Sequence, residues 1–368
     1  VVMEDVSMNE REVLNAALAK VGVPADAPHY LMNSCPVQFT FSYERGQHQR
    51  LARLYDHGVA AQWSSKDLPW ETSVDPEALV AESAQMRGDA FGWSEQAISQ
   101  TALAKFSQKD WIRFGIAYQR WMLSQFLHGE QGALICSAKI VESAPWMDAK
   151  YFAASQVIDE ARHVEVFSRY LNEKLTGGYP LNAHLGALLD DIVVDARWDV
   201  TYLGMQIMVE GLALAAFGLI HATTADPLLR TLLRYVMADE ARHVAFGVLS
   251  LSEIYQTLSA AELKERQEFA LEAAISMRDR FLLQELWADF DVPRDTVALL
   301  MAQSPERQMF SNLLFARIIP NLRKLGLLDA NDGWLREGFH RIGVMGFEEL
   351  DDATMDPDAF ADTSPANR

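Results

Sequence analysis

The chain has 368 residues, 49% of them apolar, with 9 Trp and 18 Phe, ample material for one large core or two smaller ones. Its formal net charge of −19, with no basic stripe to offset it, excludes nucleic acid and anionic lipid as partners. Two cysteines, Cys35 and Cys136, lack metal-type spacing and form no disulfide framework. No apolar run of about 18 residues is free of charge, and no signal peptide is read at the start, so the expectation is a cytoplasmic protein with no membrane contact.

Only 13 Pro and 20 Gly interrupt the chain, so the propensity is helical and the expected fold class is all-α. In chain order, residues 9–22 and 45–63 read as amphipathic helices. A turn-rich stretch follows, then helical segments near 77–87 and 94–106. From residue 107 the apolar periodicity lengthens. Breaks fall at SAPWM (143–147), TGGYP (176–180), TTADP (223–227) and TLSAAE (257–262), and the run 182–223 divides near Asp190–Asp195. Another long helix is expected from 262 to about 290, with shorter ones near 294–302, 306–325 and 333–341. This divides the chain into a helical extension (1–106), a bundle (107–257), flanking helices (258–345) and an acidic disordered tail (346–368).

The string DEARHV occurs at 159–164 and again at 239–244. At the same offset of 80, Leu123 aligns with Leu203, Glu130 with Glu210, Leu134 with Leu214 and Ile140 with Ile220. The repeated unit reads as a helical hairpin, and two hairpins make a four-helix bundle. Each DEARHV holds Glu-x-x-His, Glu160 with His163 and Glu240 with His243, and residues at i and i+3 share a helix face. Upstream, Glu130 lies among Leu123, Phe126, Leu127, Ala133 and Leu134, and Glu210 among Leu203, Ile207, Ala213, Leu214 and Phe217. An ionised carboxylate in such an apolar stripe is costly unless paired. Pro145 is the midpoint between Glu130 and Glu160, and residue 225, beside Asp226-Pro227, is the midpoint between Glu210 and Glu240. Each hairpin therefore runs about fifteen residues up and fifteen back, about 22 Å each way, returning both glutamates to one height. Four carboxylates and two imidazoles then converge, a set that two divalent cations neutralise.

Glu, then Glu-x-x-His, twice, on a four-helix bundle resembles the ferritin-like carboxylate-bridged di-iron superfamily. The fuller Asp-Glu-x-Arg-His string is most similar to the hydroxylase subunits of bacterial multicomponent monooxygenases, whereas chain length is nearer the ribonucleotide reductase small subunit. The resemblance spans about 107–257. It implies two iron ions, or a mixed manganese and iron pair, and O₂ as co-substrate. Glu130 with His163 and Glu210 with His243 would be terminal ligands, while Glu160 and Glu240, the residues closest to catalysis, would bridge. Asp159 and Asp239 would hydrogen-bond the ligand histidines of the opposite half, with Arg162 and Arg242 neutralising them. Three positions depart from sub-family patterns. Leu214 replaces the hydroxylase Thr, Phe167 the reductase radical Tyr, and Val236 the third His of the arylamine N-oxygenases.

The expected activity is a di-iron oxygenase acting on a small organic substrate by C-hydroxylation or N-oxygenation. Its rivals are a desaturase, a radical-generating oxidase, and iron or peroxide handling. Phe126, Leu134, Phe167, Leu214 and Phe217 are candidates for the substrate wall, and Gln156 and Gln206, one turn before Glu160 and Glu210, for polar groups facing it. Gly129, Gly132 and Gly211 flank the helix glutamates and hint at close packing or a π-bulge. Tyr118, Tyr170, Tyr202 and Tyr235 are candidates to approach the metals, and the sequence does not rank them. Two cysteines cannot hold an iron–sulfur cluster and no nucleotide-binding glycine motif is present, so an external reductase or ferredoxin is the expected electron donor. A homodimer is compatible with the sequence.

Overall fold

A computed structural model describes residues 12–13, 16–19, 29–33, 35–82, 98–99, 101–302 and 304–348. Most of the helix expected at 9–22, residues 83–97 of the next two segments, and 349–368 of the tail lie outside the described residues. Among those described, the architecture is all-α, without a β-strand.

Helix α1 (Gln49–Ala60) and α2 (Pro76–Glu82) precede the bundle. The first hairpin is α3 (Gln108–Ser143) and α4 (Met147–Lys174). Ser107 opens α3 with a reciprocal capping box to Asp110, and Pro145 in the connection cannot continue the helix. Helix α4 ends where Thr176 and Gly177 take positive φ of 61° and 105°. Helix α5 (Ala183–Val194) is capped by Asn182, whose side chain accepts from the His184 and Leu185 amides.

The second hairpin is α6 and α7. Helix α6 runs from Trp198 to Thr223 in three parts: an α-turn (Trp198–Tyr202), a π-helical stretch (Leu203–Val209) and a regular helix (Glu210–Thr223). By length and composition α6 is apolar enough to cross a membrane, but 72% of its most apolar 18-residue window is buried in the protein. It is the central core helix. Asp226 caps α7 (Pro227–Tyr255), with Pro227 in the first turn, where a missing N–H costs nothing.

The helices of each hairpin pack along one another, α4 meets α7, and α3 meets the π-helical stretch, which closes a four-helix bundle. Helix α1 lies across α4 and α7. Helix α8 (Ala260–Asp279) covers α5 and the π-helical stretch from the other side. Of the three glycines that flank the helix glutamates, close packing fixes one: a Cβ on Gly132 would stand 2.5 Å from Leu189 of α5. Gly129 meets nothing within 4 Å, and Gly211 only Ile318 at 3.4 Å, so neither marks a tight approach.

Three expectations beyond the bundle need correction. The helix expected to reach 290 stops at Asp279. One tight turn (Arg280–Leu282) and Leu283 at φ 59° then redirect the chain into α9 (Gln284–Asp289). After α10 (Arg294–Ala302), the segment expected at 306–325 is two helices, α11 (Pro305–Phe315) and α12 (Ile318–Lys324). Helix α13 (Ala330–Arg341) is kinked by left-handed Asn331, Asp332 and Gly333. Residues 346–348, assigned above to a disordered tail, are held: the Gly346 amide donates to Asn312 at 3.0 Å and the Glu348 carbonyl accepts from Arg323 at 3.1 Å.

Candidate metal centre

The hairpins bring Glu130 on α3, Glu160 and His163 on α4, Glu210 on α6, and Glu240 and His243 on α7 to one level of the bundle, all buried. One oxygen or nitrogen from each of Glu130, Glu160, His163 and Glu240 lies within 4.8 Å of the others, and the same holds for Glu160, Glu210 and His243. Glu160 belongs to both groups. A Glu from each of two helices and a Glu-x-x-His from each of the other two is the ligand pattern of di-metal carboxylate bundles.

Both histidines turn Nδ1 inward. His163 Nδ1 stands 3.2 Å from Glu130 Oε2, 3.3 Å from Glu160 Oε2 and 3.1 Å from Glu240 Oε1. His243 Nδ1 stands 3.1 Å from Glu160 Oε1 and 3.6 Å from Glu240 Oε2. Their outer nitrogens cross between halves: His163 Nε2 meets Asp239 Oδ2 at 3.1 Å, and His243 Nε2 meets Asp159 Oδ2 at 3.3 Å. An Nε2–H donating to carboxylate leaves the Nδ1 lone pair facing the cluster, the tautomer a metal ligand needs.

The aspartates are themselves held. Arg162 donates to Asp159 at 2.5 Å and to Asp239 at 3.1 Å, and Arg242 donates to Asp239. The segment leaving α1 completes the layer. Gln62 donates to Asp159 at 2.7 Å and accepts from Arg162 at 2.8 Å, and the Trp63 indole donates to Asp239 at 2.7 Å. The Arg162 guanidinium lies 4.5 Å from the centre of the Trp63 ring. Sequence reasoning missed Gln62 and Trp63: a Gln-Trp pair after an amphipathic helix has no spacing that ties it to residues 97 and 176 positions further on.

Electrostatics show what the cluster lacks. Burial, then Glu240, pushes the Glu130 carboxyl well above the usual range, and burial, then Glu240 and Glu160, does the same to Glu210. Burial also opposes charge on Glu160, yet His243 and His163 outweigh it and hold that carboxyl low. The rings respond in kind. Burial disfavours the charged form of His163, but Asp239, Glu130, Glu160 and Glu240 outweigh it and raise its pKa. For His243, Glu160, Glu240 and Asp159 do so. Even so, Glu160 Oε2, Glu210 Oε2, both Glu240 oxygens and His243 Nδ1 make no hydrogen bond. Buried carboxylate oxygens are rarely left so. Four carboxylates and two imidazole nitrogens with these orphaned atoms fit two divalent cations, which neutralise the glutamates and occupy the empty directions.

The expected wall residues divide. Gln156 Nε2 donates at 2.9 Å to both Glu160 and Glu210. Phe126, Phe167 and Phe217 form one aromatic cluster, with centroids 4.6 to 6.3 Å apart. Beside the cluster is a cavity of about 20 Å³, room for one water-sized group. It is lined by Phe126, Glu130, Ala133, Glu210, Ala213 and Glu240, among others; of the expected wall residues only Phe126 lines it, and Leu134, Gln156, Phe167, Gln206, Leu214 and Phe217 do not. For Leu134 and Leu214 the reason is helical phase: Ala133 and Ala213 at i+3 and the leucines at i+4 flank each glutamate on opposite sides. Gln206 lies in the π-helical stretch and packs towards Gly247, its amide making no hydrogen bond among the described residues. Of the tyrosines, Tyr170 donates to Asp226 at the α7 cap.

The chain matches no family model and none of the curated proteins. Among solved structures it is similar to an R2-like ligand-binding oxidase with aerobically reconstituted Mn/Fe cofactor. Identity is 14%, over 83% of this chain and 94% of that one, with a TM-score of 0.44. The same kind of oxidase with a reconstituted metal cofactor after photoconversion gives 15%, 83%, 95% and 0.41.

Proposed function

We propose that this chain is a non-haem di-iron oxidase or oxygenase acting on a small organic molecule. The observation that carries the reading is the set of orphaned carboxylate oxygens around two inward Nδ1 atoms, a donor set of hard oxygen and imidazole nitrogen. Glu130 and His163 would hold one ion, Glu210 and His243 the other, with Glu160 and Glu240 between them. Two ferrous ions, when bound, supply the electrons and open coordination positions for reducing O₂.

The remaining residues shape that chemistry. Asp159 and Asp239 fix the rings of His243 and His163. Gln156 sets the orientation of Glu160 and Glu210. The buried Phe126, Phe167 and Phe217 keep bulk water from one side. Hydroxylation and N-oxygenation both fit such a site. An external donor returns the electrons used in each turnover, because two cysteines cannot hold an iron–sulfur relay. The unequal ligand groups, four residues against three, favour a second reading with manganese and iron in different positions.

Anaerobic loading followed by elemental analysis should approach two equivalents of iron. An O₂ pulse should then give at most about one oxidised product per site until a reductant is added. Metal content near zero in all preparations would sink the reading. Growth of an iron mineral without any oxidised organic product would replace it with iron storage.

A further inference from the structure

Arg280 opens the tight turn after α8, and its side chain lines the cavity beside Glu130, Glu210 and Glu240. It is 3% exposed. The other buried arginines all face carboxylates: Arg162 and Arg242 the two site aspartates, Arg266 Asp199 at 2.9 Å. Arg280 has no ion pair or hydrogen bond from its side chain among the described residues, and its Nε is orphaned. Its one described partner is the Phe281 ring, 4.8 Å away. Burial lowers its pKa to about 10, which leaves it charged near neutral pH. A buried guanidinium without a counter-ion is costly.

Charge balance says what is missing, taking the di-metal reading above as given. Two divalent ions neutralise the four ligand glutamates, and Arg162 and Arg242 match Asp159 and Asp239. Arg280 remains as one positive charge on a cavity whose other walls, beyond the three glutamates, are Gln125, Gly129 and the apolar Phe126, Ala133, Val209 and Ala213. We propose that Arg280 receives the carboxylate of a small monoanionic organic substrate and so sets which end of it faces the metal-binding glutamates. The cavity has room for one water-sized group, so Phe126 and Val209 would have to give way to admit the carboxylate and its apolar remainder.

The test is calorimetric titration of anaerobic, iron-loaded protein with propionate, propionamide and inorganic phosphate, with iron measured on the same samples. Propionate should bind and the isosteric amide should bind far more weakly. Arg280→Gln should weaken propionate about thirtyfold or more while iron stays near two equivalents, and Arg280→Lys should recover part of the loss. If Arg280→Gln does not fold, Ala213→Leu, which fills the cavity, should abolish propionate binding with iron retained. Equal propionate affinity in wild type and Arg280→Gln would show binding through the metals alone and overturn the proposal. So would phosphate binding in preference to propionate, which would make Arg280 an inorganic anion site. Iron below one equivalent in the wild type would remove the di-metal reading and this proposal with it.

Discussion

The two hairpins repeat their chemistry and not their packing. At the offset of 80, Glu130, Asp159, Glu160, Arg162 and His163 return as Glu210, Asp239, Glu240, Arg242 and His243. The neighbours do not return. The first half pairs Phe126 with Phe167, rings 6.3 Å apart. The same two positions in the second half are Gln206 and Gly247, and a Cβ on Gly247 would stand 2.7 Å from that of Gln206. The first half reaches Glu130 through regular helix, the second reaches Glu210 through a π-helical stretch. Gln156, which bonds Glu210 and Glu160, has Val236 as its counterpart. Ligand geometry tolerates no exchange of residue type, whereas a core accepts many fillings of similar volume. Two equivalent-looking half-sites therefore sit in unequal surroundings.

The largest way to break the comparison is to remove a shared ligand. Glu160→Ala should lose both metals, because Glu160 belongs to both groups, whereas Glu130→Ala or Glu210→Ala should keep about one equivalent by elemental analysis. Next come the unlike fillings. Phe167→Ala opens a hole between Phe126 and Phe217 and should cost about 3–5 kcal/mol in denaturant unfolding. Gly247→Ala, which overfills the matching position, should cost about 1–3 kcal/mol. If the second half were as roomy as the first, the alanine would be silent. Asp239→Asn should weaken metal binding about 10–100-fold through His163, in the opposite half from the substitution, and Asp159→Asn should act through His243. Spectra that assign each effect to the aspartate's own half would refute the crossing.

The smallest expected effect is silence. Burial pushes the thiol of Cys136, whose counterpart is Ala216, up to about 12. At pH 8 it should resist alkylation in the folded protein and react only on unfolding, read by mass spectrometry. Prompt labelling of Cys136 in the native state would show that α3 opens locally.

Much of the bundle was legible because its ends carry local chemistry. Pro145, Asp226-Pro227 and Ser259 with Glu262 mark helix ends wherever they occur, and the breaks fall there. The convergence of six ligands follows from helix rise and equal arm lengths. What escaped has no local signature. The π-helical stretch, hinted at only by Gly211 just beyond it, lies in YLGMQIMV, apolar apart from Gln206, so the pattern does not locate an extra residue per turn. Arg280 at a helix end reads as an ordinary charge meeting the dipole, and only the fold turns it inward. Ala133 and Ala213, not Leu134 and Leu214, line the cavity because the bundle, not the helix, decides which side of a glutamate faces it.

The crossed pairs between His163 and Asp239, and between His243 and Asp159, also order events during synthesis. When DEARHV at 159–164 leaves the ribosome, the carboxylate that orients its histidine is still about 80 residues away. A nascent chain that ends after α4 holds Glu130, Glu160 and His163 and yet lacks the group that selects the ring tautomer. Metal acquisition should therefore wait until both hairpins have docked, and a truncated chain should leave the ribosome without a properly formed site.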